Sequence, residues 1–376
     1  MSSTTSNDPG ELASLGESIA EVLSNESSSL RLHEFINGKR DLSPAIWKLA
    51  AELGWLGIGL SEADGGLGMG RAGLAVLHRE LGRHAAPGPF IATLSLAQWL
   101  SNHGSAALKD EPLARMVAGE LTAAIPATVV GTGERLSLNK GKVRGGVAHM
   151  LGSAGAGIAL VAYADEAGQE GWGLVTIDGR QARLTRSPQW DMTREVCRLD
   201  CDDAPLSVLE TTGFSLAAES LAHDFALAVV NDSLGGMEAS VDKTVAYLKE
   251  RVQFDKVLAS FQALKHRAAN LAAKIETTRE LTLHAMESAD GEPGDALLWS
   301  MMAKASSTDA YAWVSQDCLQ LFGGVGFTWE YDCHLYLKRA RLNQSLVGSS
   351  GACLDDASHR LVAATRAGRN VTEMSL

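Results

Sequence analysis

Residues 218–251 contain no proline, and a continuous helix over them would run about 50 Å at 1.5 Å per residue. Two further proline-free stretches follow, Ala259 to Asp290 and Asp295 to Phe322, and then shorter helical patterns after Thr328 and from Asp355 to Ala367. The connections are short, Asp290 to Gly294 being typical. Neighbouring helices of such a chain pack antiparallel, so the C-terminal half reads as a helical bundle.

The rest of the chain has a different rhythm. Ser43-Pro44 reads as an N-cap with proline at the first helical position; Ile46, Leu49, Ala50 and Leu53 form one apolar face, and Gly54 ends the helix. A glycine-rich loop at Glu62 to Gly70 precedes a second helix carrying Leu74, Leu77, Leu81 and Gly82. From about Leu121 the pattern changes to short strands such as Ile158 to Tyr163 and Trp172 to Ile177, separated by Gly, Asp and Pro and ending near Asp202 to Pro205. The predicted domains are a helical one over 1–120, a β-domain over 121–213 and a helical bundle over 214–376. No internal repeat is present.

Composition removes several functional classes. Thirty-three Lys and Arg against 45 Asp and Glu give a net charge of -12, and the basic residues are scattered, so neither nucleic acid nor an anionic membrane is an expected partner. No apolar run reaches the roughly 20 residues that span a bilayer, and Met1 to Pro9 lacks a signal-peptide pattern; the expected location is the cytoplasm. The five cysteines, Cys197, Cys201, Cys318, Cys333 and Cys353, suit free thiols, with Cys197 and Cys201 on one side of a strand. Neither they nor the ten histidines form a zinc-ligand spacing, so no metal site is expected.

Two segments carry chemistry. Gln320-Leu-Phe-Gly323-Gly324-Val-Gly326 places three glycines in four positions, where the missing Cβ atoms let a ligand approach the backbone. A helix starting near Thr328 would aim free N–H groups at it, which suits a diphosphate. The same residues also describe a glycine C-cap and a tight turn, the commoner use of such a run. The second segment is Arg251-Val-Gln253-Phe254, continuing through Phe261 and Gln262 to His266.

Together these segments resemble the acyl-CoA dehydrogenase family, in which Arg-x-x-Phe and Gln-x-x-Gly-Gly of one subunit hold the diphosphate and adenosine of the partner's FAD. The resemblance extends to Gly57 through Gly68 and to Asp191-Met-Thr-Arg194. It implies a fold of N-terminal helices, a middle β-barrel or sandwich and a C-terminal four-helix bundle. It further implies an acyl-CoA substrate, an electron-transferring flavoprotein or similar acceptor, and a cofactor site built from Arg251, Gln253, Phe254, Phe261, Gln262, Gln320, Gly323 and Gly324. The Gly65 to Gly70 loop would border the acyl channel, and CoA would meet a local basic patch.

The resemblance fails at the chemistry. The family removes an α-proton of the thioester with a carboxylate, which needs an acceptor within hydrogen-bond reach. Many members carry it as Glu before Gly, aligned here with Val347 before Gly348; others carry it on the long helix, aligned with Phe225. Neither side chain accepts a proton, so no catalytic residue is assigned. Asp224 is one residue away, turned by about 100° on a helix, and reads as a solvated or capping charge. The usual Thr/Ser-Glu-Pro, Gly-Ser-Asp and Trp-Ile-Thr/Ser contacts to the flavin ring are also missing from residues 123–130 and 141–151.

Such a chain reads as one subunit of a heterotetramer whose related partner brings the base. Gly326 to Ala340 looks like the small-subunit type of bacterial members acting on steroid side-chain or dicarboxylic CoA esters; within it Trp329 and Tyr336 read as core, Lys338 and Arg339 as a solvated face. The alternatives are a self-sufficient homo-oligomer using Asp224 or Glu219 as base, and a non-enzymatic chain that binds FAD or CoA esters or acts as a scaffold.

Overall fold

The computed structural model describes residues 8–130, 133–209, 213–290 and 293–369. Met1 to Asn7, within the stretch read for a signal peptide, and part of the 290–294 connection lie outside them. Helices α1 (Pro9–Glu26), α2 (Ser29–Ile36), α3 (Ser43–Glu52), α4 (Gly70–Arg83) and α5 (Phe90–His103) are followed by the short turns α6 (Ala106–Leu108) and α7 (Ala114–Val117). Seven strands come next: β1 (Ala123–Pro126), β2 (Leu136–Asn139), β3 (Lys142–Leu151), β4 (Ile158–Asp165), β5 (Glu170–Thr176), β6 (Ala182–Arg186) and β7 (Val196–Val208). Helix α8 (Phe214–Glu250) leads to a hairpin of β8 (Val252–Gln253) and β9 (Lys256–Val257), then to α9 (Gln262–Glu287), α10 (Pro293–Phe322), α11 (Cys333–Ser345) and α12 (Ser350–Arg366).

The chain forms two compact units, each built from separated segments. The first comprises the described parts of Met1–Leu15, Asp41–Ala75 and Pro87–Ala228; the second comprises those of Gly16–Arg40, Val76–Ala86 and Val229–Leu376.

In the first unit the pairings run β3–β2–β4–β5–β7 and return to β3, closing a ring, with β1 bridging β3 and β4 and β6 on the free side of β7. All ladders are antiparallel except β1–β4 and β2–β4. Two register shifts bend β3 against β7, as bulges do in closed sheets. The interior holds Val143, Val147, Met150, Val161, Val175 and Leu199, with Cys197 and Cys201 among them. Burial pushes both thiols up to about 11, so they are packing groups. At α3 the cap differs from expectation: Ser43 is already helical and its N–H donates to Asp41 Oδ1 at 3.0 Å. Gly54 closes the helix at φ 75°, while Leu53 is exposed.

In the second unit α10 packs against α9, α11 and α12. Backbones approach closely where α4 meets α8. A Cβ on Gly82 would lie 2.1 Å from Asp232 O, and one on Gly235 would lie 1.8 Å from Arg79 O. Beneath this crossing Arg339 and Asp232, both at most 2 % exposed at the side chain, form an ion pair joined by Asn343. Arg339 is therefore core, not a solvated face, because its guanidinium also donates to Ala86 O and Leu81 O. Tyr336 is buried as expected, but Trp329 is 54 % exposed, stacking its edge on His334 with Lys338 over its face.

The sequence reads as a helical bundle over 214–376, and the β8–β9 hairpin departs from that. Phe254 and Asp255 adopt φ of 54° and 59°, the double left-handed turn that matches strand twist.

Candidate functional site

The sequence-predicted cofactor residues lie at one end of the second unit's bundle. At the end of α8 the Arg251 N–H donates to Tyr247 O, and Leu258 N–H returns to Arg251 O at 2.8 Å, so the hairpin folds back on the helix end. The Gln253 amide donates to Val252 O. Phe254, 86 % exposed, meets Phe261 edge-on at 6.4 Å, and Gln262 opens α9. The Tyr247 ring stacks on Phe322, the last residue of α10, at 4.4 Å. Arg267 of α9 pairs with Asp317 of α10, one turn before Gln320. These two ties draw Arg251, Gln253, Phe254, Phe261, Gln262, Gln320, Gly323 and Gly324 to a common end.

The glycine run does not lead straight into a helix. Gly323 at φ 68° ends α10, residues Gly323–Phe327 form a 3₁₀ turn, and α11 starts only at Cys333. Thr328 instead turns its hydroxyl back onto Val325 O, so the expected helix N-terminus at Thr328 is absent. The groups left open to an anion at this end are the Arg251 guanidinium and the backbone of the turn. A Cβ on Gly323 or Gly324 would meet nothing within 4 Å, so the surface is open outward. Arg251 is exposed and pairs with no acid among the described residues. An exposed arginine, glutamine amides and bare glycine backbone fit a diphosphate-bearing group.

Where the resemblance puts a base, the structure puts apolar core. Val347 and Phe225 are both 0 % exposed. Val347 has φ 68°, a conformation that strains a β-branched residue. Lys304, fully buried, fastens this loop by donating to Gln344 O at 3.0 Å and to Gly348 O. Burial pushes its ammonium down, with Cys353 and Asp309 pulling the other way. Nothing in the pattern of α10 announced it beyond one lysine in an apolar run. Asp224 is not a solvated charge, contrary to expectation: it is 8 % exposed and accepts from Arg71 Nε at 3.2 Å. Glu219 is half-buried in the first unit.

In the first unit a cavity of about 400 Å³ lies beside β1 and β3, lined by Pro126, Thr128, His149 and Trp172 together with Phe214 and Glu219 of α8. Trp172 stacks on Phe214 at 5.3 Å, and the Arg135 guanidinium sits over the same Phe214 ring. The wall mixes aromatic and imidazole groups with the hydroxyls of Thr128 and Ser215 and the carboxylates of Glu134 and Glu219. The Gly65 to Gly70 loop folds back on residues 57–60 through Leu67 N–H to Gly57 O, Gly68 N–H to Leu60 O and Met69 N–H to Ile58 O. Gly66 is required there, since a Cβ would lie 2.3 Å from Leu60 O. In the Asp191 to Arg194 motif, buried Asp191 accepts from the Thr193 N–H and hydroxyl. No group of His, Cys, Asp and Glu among the described residues could hold a metal ion, and no described helix is long and apolar enough to cross a membrane.

Two family profiles match the chain: acyl-CoA dehydrogenase, N-terminal domain, over residues 13–120, and acyl-CoA dehydrogenase, C-terminal domain, over residues 211–362. Acyl-CoA dehydrogenase FadE34 of Mycobacterium tuberculosis is 29% identical over 336 residues, 89% of this chain but only 44% of that protein. Acyl-CoA dehydrogenase IpdE2 of Mycolicibacterium smegmatis is 28% identical over 89% of this chain and 93% of its own length. Among solved structures, a Tcur3481-Tcur3483 steroid ACAD variant superposes with a TM-score of 0.84 at 25% identity, over 95% of this chain and 99% of that one. The acyl-CoA dehydrogenase of Geobacillus kaustophilus has the same fold, with a TM-score of 0.84 at 19% identity over 95% and 100% of the two chains.

Proposed function

We propose, from the premise that the chain belongs to the acyl-CoA dehydrogenase family, that it is the subunit without a base in a heteromeric FAD-dependent acyl-CoA dehydrogenase of the cytoplasm. The division at residues 120 and 213 into helical, β and bundle domains is part of this reading. FAD, when bound, supplies the acceptor for the β-hydrogen that leaves as hydride in α,β-desaturation. On this chain, the Arg251 guanidinium and the Gly323–Gly324 backbone would bind the diphosphate, with Gln253, Gln262 and Gln320 offering amides and Phe254 and Phe261 an aromatic edge to the adenosine. A related subunit would bring the carboxylate and the ring contacts, and an electron-transferring flavoprotein or similar acceptor would reoxidise the pair. The similarity to a steroid ACAD variant favours a steroid side-chain CoA ester as substrate.

The observation that carries this reading is the pair of fully buried, proton-inert residues Val347 and Phe225 at the two base positions. The test is to purify the chain alone and co-expressed with a related chain, then to measure mass by light scattering and flavin by absorbance. The proposal expects little flavin on the lone chain and a yellow heteromer from co-expression. One FAD per chain in a homo-oligomer would overturn it.

A further inference from the structure

Helix α10 is buried around almost its whole girth. Among its described side chains only Asp309, Trp313, Gln316 and Gln320 are exposed, and their spacing of four, three and four residues puts them on one narrow strip. Helix α9 closes one edge of the strip through Arg267, which pairs with Asp317. Helix α11 closes the other: Gln344 donates to Asp309 Oδ1 at 2.7 Å, and Arg341 donates to Gln344 Oε1 at 3.0 Å and to Gln316 Oε1 at 3.4 Å. Asp309 also accepts from the Ser350 hydroxyl at 2.7 Å. Trp313 stands among these groups, 47 % exposed.

A single exposed tryptophan is ordinary on a protein surface. Two observations set Trp313 apart. It stands inside a rim of side chains already tied to one another in the free chain, and an aromatic anchor within a polar rim is the anatomy of an interface centre. Arg341, exposed and in no ion pair among the described residues, adds a positive charge to that rim. The strip also ends on Gln320, which the heteromeric reading gives to an FAD held by the related subunit. Trp313 is two turns before it, about 10 Å along the helix. A stable interface covers about 800 Å² on each partner, a patch about 30 Å across, so a subunit that brings FAD to Gln320 covers Trp313 as well.

We infer that the related, FAD-bearing subunit seats on this strip of α10, taking Trp313 into an apolar socket and meeting Arg341 with a carboxylate. A second copy of this chain is the competing occupant. The inference deepens the heteromeric reading and rests on it. Trp313 is on this account an anchor for the partner and touches neither FAD nor substrate.

The experiment takes this chain and a related, glutamate-bearing chain with FAD present, and reads their dissociation constant by sedimentation velocity at low and high salt, with the mass of this chain alone measured beside it. Trp313→Ala should weaken the heteromer at least about 30-fold, the effect of losing an interface anchor, and should melt as wild type does because the side chain is exposed. Arg341→Gln should weaken it about 2- to 5-fold at low salt and not at high salt. Trp190→Ala, which removes a more exposed tryptophan of the first unit, should change nothing. Wild-type affinity in Trp313→Ala would overturn the inference while the heteromer stands. So would a Trp313→Ala chain that loses only its self-association, which gives the strip to a second copy. If the wild-type chains do not associate at all, the heteromeric reading fails and this inference with it.

Discussion

Arg251 is exposed at a helix end and forms no ion pair among the described residues. Arg251→Ala should weaken FAD binding by about 1.5–3 kcal/mol, the worth of a charge-assisted hydrogen bond; an unchanged dissociation constant in a flavin-fluorescence titration would remove it from the site. Asp332 shows the opposite case, a buried acid surrounded by donors. Burial pushes its carboxyl up, but Lys243, with hydrogen bonds from Ser29 and His33, outweighs burial and holds it below the ordinary value of 3.8. A folded value lowered in this way gives stability that is full above the unfolded value and is lost as pH falls through the folded one. Asp332→Asn should therefore cost about 1–3 kcal/mol at pH 7 and clearly less at pH 3, read from urea midpoints; an equal cost at both would contradict the assignment. The sequence showed the residue types of such sites but not their partners. Arg339 reads from the sequence as a solvated face, yet it is buried against an acceptor, Asp232, 107 residues away in the chain.

At the scale of elements, glycines separate into those that let helices touch and those that leave backbone open. Gly235→Ala would gain helix propensity, about 1 kcal/mol, but its Cβ would lie 1.8 Å from Arg79 O, a backbone atom that cannot swing away. A net loss of about 1–3 kcal/mol is expected, measured as a fall in melting temperature. Gly324→Ala should fold normally, since its Cβ meets nothing, and should weaken FAD binding; a variant that binds FAD as wild type does would deny the glycine turn its role. Helix and strand identities were largely legible, because long proline-free runs and short alternating segments fix period and length. Helix starts were less so. Thr328 looked like one and is a turn residue, because its hydroxyl is spent on Val325 O and the helix waits until Cys333. The β8–β9 hairpin was hidden because Phe254 and Asp255 are unusual residues for two consecutive left-handed positions.

The whole molecule has an acyl-CoA dehydrogenase fold, with buried apolar side chains at the two positions where the resemblance puts a base. Apolar side chains at Val347 and Phe225 are packed as core, and the carboxylate next to Phe225, Asp224, is held by Arg71. Without a placed base, deprotonation of a thioester α-carbon loses a factor of about 10² to 10⁴, which on the proposed reading only the partner's carboxylate restores. The fold could be read from motifs; the fate of Asp224 could not, because its burial depends on helices far apart in sequence. The most direct measurement is a steady-state assay with a dye acceptor on the purified chain, with FAD added and several acyl-CoA esters offered. No turnover by the chain alone, and turnover once a glutamate-bearing related chain is added, is the result predicted here. Turnover of about 1 s⁻¹ or more by the chain alone, ordinary for an enzyme, would contradict it, and Asp224→Asn and Glu219→Gln would then identify the base.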